Sequence, residues 1–364
     1  MTRFSVLFWL MKNRNINALG GMLGLLALFT MAGNAYAQPL TDKKTDTIHS
    51  LEKVTLGGIK QTILITGSDT INNPILLLLH GGPGFSELRF FRSYNTALDS
   101  GFTVVNWDQR GTGLSYDPKI PVSSMTLDQL IEDTHQLIGI LKKKFSKQKI
   151  FLVGHSWGSL LGISVAQRYP EDIQAYVGVG QVVSMRESEK IGLAYAIKMA
   201  EKEHNTKALL ELRPLTARYP STGTSGLNDL FVQRKWLMYF GGVVHGKRNY
   251  NDIFKGITAG ENKLYNDSLN AEGEMFSINA LWPSLLNADL FKSIPKLTVP
   301  VFFITGRFDY NTNAKLIARY FNFLSAPHKE LIWFENSAHI MPFEEPEKFN
   351  EVMKEVKNSE YMKQ

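Results

Sequence analysis

Cysteine is absent from the 364-residue chain. Its absence excludes disulfide bonds, thiolate metal sites and a cysteine nucleophile, and also the lipid-bearing cysteine of a bacterial lipoprotein. The sequence contains neither an HExxH pair nor a carboxylate run of the calcium-loop type. We therefore predict no metal and no cofactor. Any nucleophile must be a residue other than cysteine.

A large excess of one charge is also missing. Lys and Arg number 40 against 34 Asp and Glu, and the net charge of +6 is spread among acidic residues. The one dense basic run, at residues 142–144, follows a predicted amphipathic helix, whose C-terminus favours cations. A nucleic-acid partner is not predicted. The 44% hydrophobic content excludes disorder for most of the chain, and the length fits one large α/β domain with an insertion, or two domains.

Acidic residues are absent from residues 1–37. This segment carries three basic residues, an apolar run at 18–32 and the triplet AYA at 35–37, which is the order of a secretory signal peptide. Because the apolar run is shorter than the roughly 20 residues that span a bilayer, we expect cleavage after Ala37, no stable membrane insertion afterwards, and a periplasmic or secreted protein. Alternatives left open are an uncleaved anchor and translation that begins at Met11.

Strand and helix patterns alternate over most of the remaining chain. Apolar runs at 75–79, 150–153 and 301–304 lack polar alternation, as strands covered on both faces do. Further strands are predicted at 103–107, 175–179 and 330–334, with an edge hairpin at 53–56 and 59–66. The alternation predicts a doubly wound, mostly parallel sheet.

Two segments depart from this alternation. Residues 38–51 are polar and are interpreted as a tether, so that order should begin near Val54. Residues 184–292 show helical patterns only, with aromatics such as Trp236 and Trp282 that look exposed. We interpret this second segment as a helical cap over the sheet, which leaves residues 52–183 and 293–364 as the core.

The sequence GHSWG at 154–158 follows a predicted buried strand and opens a helix. This is the G-x-S-x-G nucleophile elbow in its required context, in which a sharp turn exposes the serine oxygen at the strand end. Ser156 is therefore the predicted nucleophile. An incidental glycine-rich turn is the alternative.

A serine nucleophile needs a base and a carboxylate that orients the base. Asp309 follows the strand at 301–304, and His339 follows the strand that ends at Phe334. The order Ser, Asp, His is that of α/β-hydrolases. We expect the side chain of His155 to point away from the serine, and His80 to make a structural hydrogen bond.

An oxyanion hole requires two backbone N–H donors near the serine. Trp157 supplies one because it follows the nucleophile, and the loop HGGPG at 80–84 supplies the other, with Gly82 as the chosen donor. Two other glycine motifs fail as nucleotide sites. Residues 241–247 resemble a Walker A loop, but Arg248 replaces the Ser or Thr that would hold magnesium. The motif that begins at Gly178 lacks its third glycine.

Three motifs together resemble the proline iminopeptidase group of α/β-hydrolases: HGGPG at 80–84, DQRGTGLS at 108–115 and GHSWGS at 154–159. The resemblance runs over residues 55–180 and 298–350, and the serine, aspartate and histidine named above fall on that family's triad positions. It implies an α/β-hydrolase fold, with Asp108 and Arg110 bracing their loop through salt bridges. At position 155 the chain has histidine where many members of the family have glycine.

The resemblance also implies cap glutamates that bind the free α-amino group of the substrate. The candidates are Glu187, Glu189, Glu261, Glu272 and Glu274. We predict Glu272 and Glu274 as the substrate-binding residues, since they lie between apolar stretches and alternate positions could place one toward the site. Two surface glutamates are the alternative reading.

These features predict an exported serine hydrolase that forms an acyl-enzyme and removes N-terminal residues from short peptides. Two alternatives remain at this point. One keeps the triad but acts as an esterase or amidase on other small acyl substrates. The other is a non-catalytic binding protein on a hydrolase fold, although no triad member is missing.

Overall fold

The computed structural model describes residues 48–263 and 266–362. The predicted signal peptide at 1–37 and most of the predicted tether lie outside these residues.

Eight strands form one sheet in the order β1-β2-β4-β3-β5-β6-β7-β8. The strands are β1 (Ile48–Leu56), β2 (Ile59–Gly67), β3 (Ile75–Leu79), β4 (Thr103–Asp108), β5 (Ile150–His155), β6 (Ile173–Val179), β7 (Val301–Gly306) and β8 (Lys329–Phe334). Along the sheet from β4 through β3 and β5 to β8, neighbouring strands are parallel. Strand β2 is antiparallel to both of its neighbours, β1 and β4. Strands β3, β5 and β7 are buried throughout, as their uninterrupted apolar sequences predict.

The predicted tether is wrong at its C-terminal end. Residues 48–51 belong to β1, which pairs with β2 from Ile48 opposite Gly67 to Leu56 opposite Ile59. The start of this strand has no apolar run, because β1 lies at the sheet edge and its side chains alternate between partly buried and exposed positions. Backbone pairing holds such a strand without an apolar run, so order begins before Val54.

Helices cover both faces of the sheet. Those of the core are α1 (Leu88–Tyr94), α2 (Leu127–Phe145), α3 (Trp157–Arg168), α11 (Ala314–Phe323), α12 (Met341–Glu344) and α13 (Pro346–Asn358). Two apolar clusters, one on each face, hold them to the sheet. The doubly wound, mostly parallel architecture is confirmed.

The segment between β6 and β7 is the cap, and its named elements in the described residues are helical. They are α4 (Met185–Lys202), α5 (Thr206–Leu212), α6 (Gly223–Tyr239), α7 (Asn251–Lys255), α8 (Ala259–Asn262), α9 (Asp267–Leu286) and α10 (Leu290–Ser293). A bridge between Ser184 and Asp289 joins its two ends. The aromatics expected to be exposed are instead buried, with Trp236 at 5% and Trp282 at 1% exposure, because they pack inside the cap and against the core.

Among the helices in the described ranges, none combines the length and the apolar character needed to cross a bilayer.

Candidate active site

Ser156 stands at the junction of β5 and α3 with φ 54° and ψ −120°. This backbone conformation is unusual for a residue with a side chain, and such strain concentrates at functional positions. The turn is possible because Gly158 packs directly on the neighbouring strand: a Cβ there would lie 2.1 Å from the Leu79 carbonyl oxygen. The sequence GHSWG therefore folds as the predicted elbow.

The structure brings the predicted serine, histidine and aspartate together. His339 Nε2 lies 2.9 Å from Ser156 Oγ, and His339 Nδ1 lies 2.9 Å from Asp309 Oδ2. In the tautomer that satisfies both contacts, Nδ1–H donates to the carboxylate and Nε2 accepts from the serine hydroxyl. This geometry suits proton transfer from the serine to the imidazole.

Asp309 is almost completely buried, at 1% exposure. Its carboxylate also accepts hydrogen bonds from the Asn311 and Thr312 backbone N–H groups and from the Thr312 hydroxyl. Burial alone would raise the pKa of Asp309, but the adjacent His339 and the Thr312 donors hold that pKa below its usual value. The aspartate is thus kept ionised and fixed in orientation, as the partner of an imidazole requires.

The predicted oxyanion donors belong to two different segments of the chain, the 80–84 loop and the start of α3. Gly82 lines the cavity that contains Ser156. Trp157 is the first residue of α3, where a backbone N–H has no acceptor inside the helix. Their role as oxyanion donors stays a prediction.

Buried hydrogen bonds support the loop that carries Gly82. The ring of His80 accepts from the Gln109 backbone N–H at 3.0 Å, and the Gln109 side chain donates to the His80 carbonyl and accepts from the Trp157 indole. His80 therefore has the structural role expected from its position. Burial lowers the pKa of its imidazole, which favours the neutral form that these contacts require.

Contacts of Arg110 and Asp108 hold the DQRG segment. Arg110 makes a buried two-pronged salt bridge with Asp133, at 2.8 and 3.0 Å. The Asp108 carboxylate accepts hydrogen bonds from the Ser86 hydroxyl and the Leu114 backbone N–H. Both residues brace loops.

A largely apolar cavity opens above Ser156 between the core and the cap. Glu274 of α9 lines this cavity, and burial raises the pKa of its carboxyl group to about 8. The prediction for Glu272 is wrong: this side chain is exposed and does not line the cavity. Since successive helical residues are rotated by about 100°, positions two apart point in nearly opposite directions, and only one can face inward.

The other cap glutamates are engaged elsewhere. Glu189 is fully buried and pairs with Arg234, and it also accepts from the Tyr219 hydroxyl. Glu187 pairs with an arginine at the surface, and Glu261 lies 3.7 Å from Arg92. Of the five candidates, Glu274 is the one that lines the cavity.

Glu87, which no sequence pattern indicated, is 2% exposed and lines the same cavity. Its carboxylate lies 2.5 Å from His155 Nδ1, while His155 Nε2 lies 3.0 Å from the His339 backbone carbonyl. Both ring nitrogens therefore face acceptors. Burial lowers the pKa of His155, but the charge of Glu87 outweighs it and the pKa is raised overall. The unusual histidine after Gly154 was the only local signal of this pair.

A doubly wound sheet that carries a nucleophile elbow after β5 and a hydrogen-bonded aspartate and histidine after β7 and β8 defines an α/β-hydrolase. Solved structures agree with this class: the crystal structure of proline iminopeptidase from Mycobacterium smegmatis superposes with a TM-score of 0.64 at 20% identity, covering 86% of this chain and 99% of that one. The chain belongs to the serine aminopeptidase family, which matches residues 72–346.

Curated relatives carry names from the same family. A probable aminopeptidase of Bacillus subtilis, YbaC, is 34% identical over 311 residues, which cover 85% of this chain and 96% of that protein. A proline iminopeptidase of Saccharolobus solfataricus is 28% identical over 292 residues, which cover 78% of this chain and 84% of that protein. The predicted resemblance is confirmed, and this chain is an enzyme of the serine hydrolase class.

Proposed function

We propose that this protein is an exported serine aminopeptidase that removes N-terminal residues, proline among them, from short peptides. The observation that carries the proposal is the position of Glu274, which lines the same cavity as Ser156. Family membership and the names of the relatives support the same reaction.

The proposed reaction uses the hydrogen-bonded set formed by Ser156, His339 and Asp309. His339 takes the proton of Ser156 as the serine oxygen attacks the carbonyl carbon of the first peptide bond. The backbone N–H groups of Gly82 and Trp157 stabilise the oxyanion, and His339 then protonates the departing amine. The resulting acyl-enzyme is cleaved by a water molecule that gives one proton to His339 and its hydroxyl to the acyl carbon. His339 then returns that proton to Ser156 Oγ as the bond between the serine and the acyl group breaks.

Glu274 supplies the selection for a free N-terminus. A buried ammonium group is unfavourable unless a carboxylate receives it. Glu274 carries a pKa raised by burial alone, so a bound ammonium ion would provide the charge partner that favours the carboxylate form. The surrounding apolar residues suit a small hydrophobic side chain such as that of proline. They include Phe85, Leu230, Phe231, Met238 and Ile278.

A panel of aminoacyl arylamides and short acyl esters tests the proposal on the mature protein. We expect arylamides with a free N-terminus to be turned over with much higher kcat/KM than their N-acetylated counterparts. Preference for acyl esters over every aminoacyl arylamide would favour the esterase alternative. Absence of turnover together with absence of fluorophosphonate labelling would favour a non-catalytic protein.

Export is a separate part of the proposal and rests on residues 1–37 of the sequence. We expect the intact mass of protein from the exported fraction to correspond to a chain that begins at Gln38. A mass that includes residues 1–37 or 11–37 would contradict cleavage and favour an anchor.

A further inference from the structure

The loop at residues 241–246 joins α6 to the next part of the cap, and it contacts both loops that carry the predicted acid and base. The Val243 carbonyl accepts a hydrogen bond from the His339 backbone N–H at 2.9 Å. The Gly242 carbonyl accepts from the Tyr310 backbone N–H, next to Asp309, at 3.1 Å. This loop is the near match to a Walker A motif, and the contacts give its glycine-rich sequence a structural use.

Glu344, in α12, binds the backbone on both sides of the predicted base. Its carboxylate accepts from the Ala338 N–H with both oxygens, at 3.1 Å each, and from the Ile340 N–H at 3.1 Å. It also accepts from the His245 backbone N–H at 2.6 Å. One side chain thus joins the residues before and after His339 to the 241–246 loop.

The His245 side chain strengthens the same junction. Its Nδ1 lies 2.9 Å from the Asn336 carbonyl oxygen, to which it donates. Its ring stacks on Phe308 with centroids 3.8 Å apart and planes 10° apart. The 241–246 loop therefore contacts Phe308, which precedes Asp309, and Asn336, three residues before His339.

The chemistry of this junction requires a carboxylate. Three different backbone N–H groups converge on Glu344, and a carboxylate has acceptor sites for all of them. Burial raises the pKa of Glu344 to about 7, although the three donors favour the ionised form. A glutamine of the same size would place an NH₂ group against at least one N–H donor.

We propose that Glu344, together with the 241–246 loop, is a positioning residue for the triad: by fixing the backbone around His339, it holds the imidazole at hydrogen-bonding distance from Ser156. The inference rests on the proposed triad but not on the identity of the substrate. Reaction rates are sensitive to such placement, since an error of about 1 Å can cost on the order of 10²-fold.

The test compares Glu344→Gln with Glu347→Gln in the full chain. Glu347 is exposed in the first turn of α13, so its substitution makes the same charge change without touching the base loop. For Glu344→Gln we expect kcat and the rate of fluorophosphonate labelling to fall by roughly 10- to 100-fold while KM stays within about 2-fold. Glu347→Gln should match the wild type in all three.

The rates are expressed per folded molecule, measured from thermal unfolding of each variant. Wild-type kcat and labelling in folded Glu344→Gln would overturn the inference. If that variant does not fold, His245→Ala decides, because it removes the ring contacts and keeps the backbone N–H. A fall in its kcat and labelling rate of about 3- to 10-fold at constant KM supports the inference, and unchanged rates overturn it.

The same labelling experiment separates this inference from the proposed function. Should the wild type and Ser156→Ala be labelled alike, the triad itself would be wrong. Should only the wild type be labelled and folded Glu344→Gln react equally fast, the triad would stand and the positioning role would fall.

Discussion

The core and the cap face each other across one cavity, but they hold their functional groups in different ways. In the core, Ser156, Asp309 and His339 follow the ends of three parallel strands, and each is fixed by hydrogen bonds. In the cap, Glu274 lies on one helix and its pKa is raised by burial rather than by a charged partner. In the function proposed above, the sheet positions the reacting groups, whereas one face of α9 selects the substrate.

The largest expected effect tests the core. Ser156→Ala removes the nucleophile without adding bulk, so kcat should fall by roughly 10⁴- to 10⁶-fold. Fluorophosphonate labelling should disappear, while the thermal unfolding curve stays close to that of the wild type. Undiminished labelling of the variant would show that Ser156 is not the nucleophile.

The next largest effect concerns the orienting carboxylate. Asp309→Asn keeps the shape of the side chain but no longer favours the His339 tautomer with hydrogen on Nδ1. We expect kcat to fall by roughly 10³- to 10⁴-fold, as such a change does in related chemistry. Steady-state kinetics on an aminoacyl arylamide measure it. A fall of less than 10-fold would show that another acid orients the imidazole.

A smaller effect is expected where the core and the cap touch. Gly84, with φ +95°, lies against α9: an added Cβ would lie 2.7 Å from the Ser277 Cβ and 3.0 Å from the Glu274 Cα. Gly84→Ala should therefore push the 80–84 loop and α9 apart. We expect kcat/KM to fall by about 10-fold for substrates with a free N-terminus and for N-acylated substrates alike. Wild-type kinetics would contradict this close contact.

The smallest predicted effect is on stability and concerns the cap alone. The pKa of Glu274 is about 8 in the folded protein, and an unfolded glutamate titrates at roughly 4.3. Its contribution to stability is therefore fully present below the lower value and is lost as pH rises through the higher one. Glu274→Gln cannot ionise, so its Tm should exceed that of the wild type by about 1–4 °C at pH 9 and not at pH 5.

Thermal unfolding of the two proteins at both pH values measures this difference. An equal difference in Tm at pH 5 and pH 9 would show that the carboxyl group is not desolvated by the cap.

The sequence was a good guide to the core because its signals are local. The apolar runs at 75–79, 150–153 and 301–304 mark central strands, and each lies within the observed strand. The elbow motif and the two polar residues after later strands identified three groups that the sheet then brought within hydrogen-bonding distance. The edge strand was partly missed because its pairing depends on backbone rather than on an apolar pattern.

The cap was predicted less well because its contacts are long-range. The exposed position of Glu272 follows from the rotation of α9, which a two-residue alternation does not describe. No sequence motif indicates the roles of Glu87 and Glu344. Glu87 contacts His155, which is 68 residues away in the sequence, and Glu344 contacts the backbone of His245, which is 99 residues away. Such partners become visible only when the tertiary structure brings them together.

We propose that the core supplies the reaction and that Glu274 of the cap selects the free N-terminus. The most direct test is the ratio of kcat/KM for a prolyl arylamide to that for an N-acylated ester, measured in the wild type, Glu274→Gln and the exposed control Glu272→Gln. Loss of a charged partner predicts a ratio about 10- to 100-fold lower in Glu274→Gln, through a higher KM for the arylamide, and no change in Glu272→Gln. An equal ratio in all three proteins would contradict the claim.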